Sequence, residues 1–158
     1  MIRSTRFPLF LLGALLLAIP RVGAAQITIQ NTAGLNFGSL AVGGSAGTAV
    51  ISPAGVRTVT GGVVGLGSAY GAASFTVTIS SGSATYFLSL PTGNTTLTGP
   101  GGATMTASTF TSNPSGLIQQ VPSVPGSQTV TVGATLNVAA NQTPGSYAGT
   151  FTVTVFHF

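Results

Sequence analysis

The chain has 158 residues, no Cys or Trp, and four Lys or Arg against no Asp or Glu. Arg3, Arg6 and Arg21 fall in the first segment, which leaves Arg57 as the only Lys, Arg, Asp or Glu beyond residue 25. This excludes a phosphate-binding surface for nucleic acid, which needs clustered cations. It also removes the acids of a Ser–His–Asp triad and the ligands of zinc and calcium sites, so the chain reads as a non-enzyme with no cofactor.

Residues 1–25 have the form of a secretory leader: a basic start at Arg3 and Arg6, the apolar run Phe7 to Ile19, then Pro20 and the small residues Gly23-Ala24-Ala25. The apolar run is shorter than the roughly 20 residues of a membrane span. The expectation is cleavage before Gln26, no span in the mature chain, and export through the periplasm to the cell surface or medium.

Gln26 to Phe37 alternates along its length, with Ile27, Ile29, Ala33, Leu35 and Phe37 on one face and Gln26, Thr28, Gln30 and Thr32 on the other. It predicts one long strand or two collinear ones. Thr48–Ser52 and Val56–Thr60 predict short strands separated by Pro53-Ala54-Gly55, with a weak segment at Val63–Leu66. Ser74–Ser80 alternates on Phe75, Val77 and Ile79, and Thr85–Leu90 follows a Ser81-Gly82-Ser83 turn. Ala103–Phe110 is a further strand, and Leu117–Val121 a brief one. From Gln128 on, Val130, Val132, Leu136 and Val138 alternate with Thr residues. Asn141 to Gly145 turns the chain, and Tyr147, Phe151, Val153 and Val155 alternate in a last strand running to Phe158. No helical period follows residue 25. The class is an all-β sandwich of about seven to nine strands, dividing into the leader 1–25, an N-terminal strand 26–37 and a sandwich domain 38–158.

Leu35-Asn36-Phe37-Gly38, Ser74-Phe75-Thr76-Val77, Val132-Gly133-Ala134-Thr135-Leu136 and Pro144-Gly145-Ser146-Tyr147-Ala148-Gly149-Thr150-Phe151 resemble the exported bacterial domain-of-unknown-function family DUF 4402. More distantly, the Phe-Gly start and the closing Gly-x-Tyr strand are similar to spore coat protein U type subunits of archaic chaperone–usher pili. The resemblance implies an immunoglobulin-like sandwich. In pilins of that group the sandwich is completed by a neighbour's N-terminal strand, and a periplasmic chaperone and an outer-membrane usher are the assembly partners.

The residues themselves meet the requirements of strand donation. A donated strand is extended, alternating and free of interior Pro or charge, so that its backbone pairs and alternate side chains fill pockets. Gln26 to Phe37 meets these conditions, with Ile27, Ile29, Ala33, Leu35 and Phe37 as donor side chains. Tyr147, Phe151, Val153 and Val155 mark the candidate acceptor strand. Two readings stay open: the strand passes to another copy, or it closes its own sandwich. At the level of function these correspond to a self-polymerising subunit of a filament, pilus or surface layer, and to a stand-alone secreted module that binds or adheres to surface polysaccharide. Arg57 reads as a solvated surface residue, or as a partner for the Phe158 carboxylate. His157 reads as a strand-end residue at the rim, or as a pH-sensitive contact. Asn94 and Asn141 lie in glycosylation acceptor sequences within predicted turns. N-terminal sequencing of the exported protein is expected to start at Gln26 or Ala25, and an intact Met1 on exported material would contradict the leader.

Overall fold

The computed structural model describes residues 26–115, 118–121 and 123–157. The strands in chain order are β1 (Gln26–Ala33), β2 (Leu40–Ile51), β3 (Arg57–Gly65), β4 (Ala73–Ser81), β5 (Thr85–Ser89), β6 (Thr95–Thr98), β7 (Thr104–Asn113), β8 (Ile118–Gln120), β9 (Gly126–Val138) and β10 (Thr154–His157). A short 3-10 segment, Pro100–Gly102, is the one helical element among the described residues. The all-β sandwich class therefore stands as the alternation indicates, with ten strands among the described residues against the seven to nine expected.

β9 is the axis of the larger sheet. Its even-numbered side chains Val130, Val132, Ala134, Leu136 and Val138 are all buried, as period-two alternation requires. One edge of β9 carries two strands end to end. β4 pairs with the first half, from Ala73 opposite Val132 to Ile79 opposite Gly126. β2 pairs with the second half, from Ile51 opposite Ala134 to Gly47 opposite Val138. β7 runs along the other edge, from Asn113 opposite Thr131 to Thr106 opposite Asn137. The two strands on the shared edge part at Gly133, where a Cβ would collide with the Ile51 carbonyl oxygen. β1 extends the sheet beyond β4, β3 beyond β2, and β6 beyond β7, giving seven antiparallel strands.

The second sheet is small, with strand order β10-β5-β8. Tyr86 and Leu88 of β5 meet Phe75, Val77, Ile79, Val130 and Val132 of the large sheet in a first core. A second core is built from Phe37, Ala49, Ile51, Val63, Ala107, Ala134, Leu136 and Val138, none of them from the small sheet. Its cover comes from Leu35, Leu40 and Val42. Leu35 and Phe110 pack against both cores. The small sheet thus covers one half of the inner face, and the other is covered by Leu35 of the β1–β2 connection and by the start of β2 where it pairs with β3.

The β2–β3 ribbon bends back on itself. Four residues, 43–46, loop out between Val42 and Gly47, and Gly61, the partner of Gly47, takes a φ of +67° beside them. Nine residues of straight strand would span about 30 Å. Yet the Arg57 guanidinium donates to the Leu66 carbonyl at 2.6 Å, and also to Phe37 O at 3.0 Å and Ser39 O at 3.3 Å. It lies 4.3 Å from the centre of the Tyr70 ring. Arg57 is therefore a half-buried clasp, not the solvated surface residue expected. The planar fork of donors lets one side chain hold three carbonyls. Its other expected partner, the Phe158 carboxylate, lies outside the described residues.

The end of the chain also departs from expectation. A single strand from Tyr147 is not formed: only β10 pairs, with Val155 opposite Leu88 and His157 opposite Tyr86. Upstream, Thr98 and Ala148 form an isolated bridge, and residues 149–153 join no ladder among the described residues. The alternation there reflects packing, since Phe151 and Val153 lie against the first core. Pro144, Gly145 and Gly149 interrupt the run. β6, in contrast, is too short and too tightly bracketed by Asn94 and Gly99 to stand out as a strand in the sequence.

Two measurements test this account. Tyr86 is buried, and its hydroxyl donates to Gln128 Oε1 at 2.8 Å. Loss of solvation pushes its pKa up from 10.0 to about 12. The folded state therefore holds the phenol proton more tightly than the unfolded state. That contribution is complete below pH 10 and is lost as the pH rises from 10 toward 12. Urea denaturation across this window should show a steeper loss of stability in the parent than in Tyr86→Phe; equal slopes would contradict the assignment. At neutral pH, Arg57→Met should cost about 2–4 kcal/mol by denaturant titration, and Arg57→Lys should recover less than half of it, because an ammonium cannot span three carbonyls. Full recovery by Lys would mean that charge alone holds the ribbon.

Candidate functional site

A groove of about 1200 Å³ opens over the second core. Its floor is apolar: Phe75, Leu97, Met105, Ala107, Phe110 and Leu136. One wall is the segment from Gly34 to Val42, and the other runs from Gln142 to Phe151. Both walls are extended; the first joins no ladder among the described residues from Gly34 to Ser39 but continues into β2, where Leu40 to Val42 pair with β3, and the second is sparsely paired. The first is tied at Asn36, which exchanges two backbone hydrogen bonds with Gly71 at 2.9 and 2.8 Å, and at Ser39. The second is tied at Ala148, bonded to Thr98.

Local packing fixes the second wall. Tyr147 lies across Gly99, where a Cβ would strike the ring. Its hydroxyl donates to Thr143 O at 2.7 Å and accepts from Gln142 Nε2 at 2.8 Å, and the same Gln142 nitrogen donates to Thr104 O at 3.1 Å. Phe151 sits with its ring centre 5.1 Å from that of Phe110 and 6.2 Å, edge-on, from that of Phe75. This aromatic trio closes one end of the groove. The site carries no ionisable group except the Tyr147 phenol, so it can bind by apolar contact and backbone hydrogen bonds, without acid–base or metal chemistry.

The expected donor residues divide at Gly34. In β1, Ile27 lies opposite Ile79 and Ile29 opposite Val77, on the core side of the sheet. Ile27 is half-buried and Ile29 is 36 % exposed, whereas Ala33 is exposed and, after a register shift past Asn31, lies opposite Ser74, off the face expected for it. Leu35 is half-buried and Phe37 is 8 % exposed; both belong to the body and help to form the groove wall. Gly34 itself has open space around it. Within this chain β1 occupies the outer edge of the large sheet, paired only with β4.

Of the expected acceptor residues, Tyr147 and Phe151 line the groove, whereas Val153 packs on the first core and Val155 belongs to β10. His157 is at the rim, half-buried, its Nε2 2.5 Å from the Ser83 carbonyl oxygen. Asn94 and Asn141 are both exposed in turns, and the Asn141 N–H donates to Gly43 O at 3.1 Å. Leu97 and Ala107 of the groove floor escaped sequence reasoning. Their signal was the paired register of β6 and β7, which only a hairpin assignment would have supplied.

No curated protein and no solved structure matches the chain. The sequence pattern of one family, described as a domain of unknown function, matches residues 27–156, which takes in all ten strands but for the first residue of β1 and the last of β10. The chain therefore belongs to the domain-of-unknown-function family DUF4402.

Proposed function

We propose that this protein is a structural subunit of an extracellular filament, pilus or surface layer, and that its copies are joined by exchange of β1. The observation that carries this reading is the groove: an apolar floor between two extended walls, one of which, Gln142 to Phe151, joins no ladder beyond the Thr98–Ala148 bridge among the described residues. Such a site suits one more strand, whose backbone finds donors and acceptors on both sides and whose alternate side chains meet the floor. β1 has the required form, with Ile27 and Ile29 on one face and no charge or Pro in its eight residues. In its own sheet it gains one ladder and leaves Ile29 partly uncovered. Covering a large aliphatic side chain contributes roughly 1.5–3 kcal/mol, so moving β1 into a neighbour's groove gains burial as well as a second ladder.

The mobile part ends at Gly34, because Phe37 is buried and its carbonyl is held by Arg57. Removal of the expected leader would place β1 at the start of the mature chain. A chaperone and an usher of the kind implied by the pilin resemblance would then keep the groove covered during export. With so little charge, apolar burial and backbone pairing drive association.

Ile29→Asp separates folding from assembly. Ile29 is already partly exposed in the single chain, so the variant should fold as a monomer, whereas an unpaired carboxylate on the groove floor should block polymerisation. Electron microscopy of the native protein should show ordered assemblies. Deleting Gln26 to Ala33 should leave a monomer that captures a synthetic peptide of that sequence, and Ala107→Phe, which fills the floor, should abolish capture. A deleted form that still polymerises, or a native protein that stays monomeric at high concentration, overturns the proposal.

A further inference from the structure

The outward face of the seven-stranded sheet is a second surface, separate from the groove. Strand partners that lie directly opposite share a face, so the registers set its side chains in rows. One row reads Thr28, Thr78, Ser127 across β1, β4 and β9, and the next reads Gln30, Thr76, Thr129. At the other end of β9 a row crosses five strands: Thr60, Thr48, Asn137, Thr106, Thr96. Neighbours within a row stand about 4.8 Å apart, and successive rows on one strand about 6.8 Å apart.

Strand propensity explains Thr in these positions, and the rows share the lack of charge that runs through the chain beyond residue 25. Exposed protein surfaces usually carry charged side chains on roughly a quarter or more of their positions; these rows carry none. The single cation nearby, Arg57, is turned inward onto carbonyls. Some polar groups of the face are satisfied internally, as in Thr48 Oγ1 to Thr60 Oγ1 at 2.8 Å and Asn137 Nδ2 to Ser108 Oγ at 3.0 Å. The hydroxyls of Thr28, Thr76, Thr78 and Thr129 have no partner among the described residues and are open to an outside ligand.

From this array we infer that the outer sheet face is a docking surface for a neutral polysaccharide. Such a polymer offers repeated hydroxyls that donate and accept, and apolar C–H faces for the Thr methyls. It has no charge to leave unpaired on a face without ions. An anionic polymer finds no free cation on these rows. Each hydroxyl contact is weak, because it replaces a contact with water. Affinity therefore depends on many rows at once, and repetition of the face along an assembly would raise it by avidity. The inference goes beyond strand exchange and does not require it.

The test uses the mature full-length protein and insoluble cellulose, with alginate beads as the anionic control. The protein should be retained on cellulose, equally at low salt and at 1 M salt, and not on alginate. The triple variant Thr76→Val, Thr78→Val, Thr129→Val keeps side-chain shape and branching while removing three hydroxyls. It should keep its thermal midpoint and its assembled form, and lose cellulose retention by about tenfold or more. Unchanged retention in the triple variant overturns the inference, as does failure of the parent to bind cellulose. If the variant instead fails to assemble while the parent ignores cellulose, the face is a contact between copies and the inference is wrong. Intact assemblies without glycan binding would leave strand exchange standing and remove only this inference.

Discussion

Both cores of this protein depend on one strand. β9 turns five consecutive even-numbered side chains inward, the first two into the core beneath the small sheet and the last three into the second core. No other strand contributes fully buried residues to both. Gly133 makes this division sterically feasible, since β2 and β4 can share one edge of β9 only if nothing projects between them. The groove follows from the same arrangement. A sheet that continues past its three-stranded cover leaves apolar side chains beyond that cover, and the Gly34–Val42 segment, whose end is the start of β2, covers only part of that surface.

Much of this architecture can be read from alternation alone, because alternation is what a sheet with one buried face imposes. Phe75, Val77 and Ile79, and Val130 through Val138, are buried where period two puts them. Phe37 was assigned to the same strand as Ile27, yet the chain breaks its pairing after Ala33 and sends Phe37 into the second core. Periodicity cannot distinguish a side chain buried within a ladder from one buried beside it. The same ambiguity explains Tyr147 to Val153, where packing produces an alternating pattern without a paired strand. The role of Arg57 was illegible for another reason. It depends on the bend of the β2–β3 ribbon, which brings together carbonyls far apart in sequence.

The shortage of charge shapes the energetics throughout. With Arg57 as the one permanently charged side chain among the described residues, no ion pair between described side chains supports the fold. Specificity must come from shape, backbone pairing and neutral hydrogen bonds such as Tyr86 to Gln128. Edge strands are usually protected by Lys, Pro or inward-pointing charges. β1 has none of these, and its outer edge carries backbone groups that no described strand pairs.

The attachment of β1 has a mechanical consequence. In an assembly linked through that strand, tension enters each subunit at Gly34 and first meets resistance at Asn36 and Phe37. There the paired bonds to Gly71, the buried Phe37 ring and the Arg57 contact to the Phe37 carbonyl lie within two residues of chain. A pull along β1 strains these restraints together instead of peeling them apart one by one. The guanidinium passes part of the load to Ser39 and Leu66, on the returning limb of the folded ribbon. The sole charged residue of the body thus sits where a tethered chain would otherwise begin to unravel.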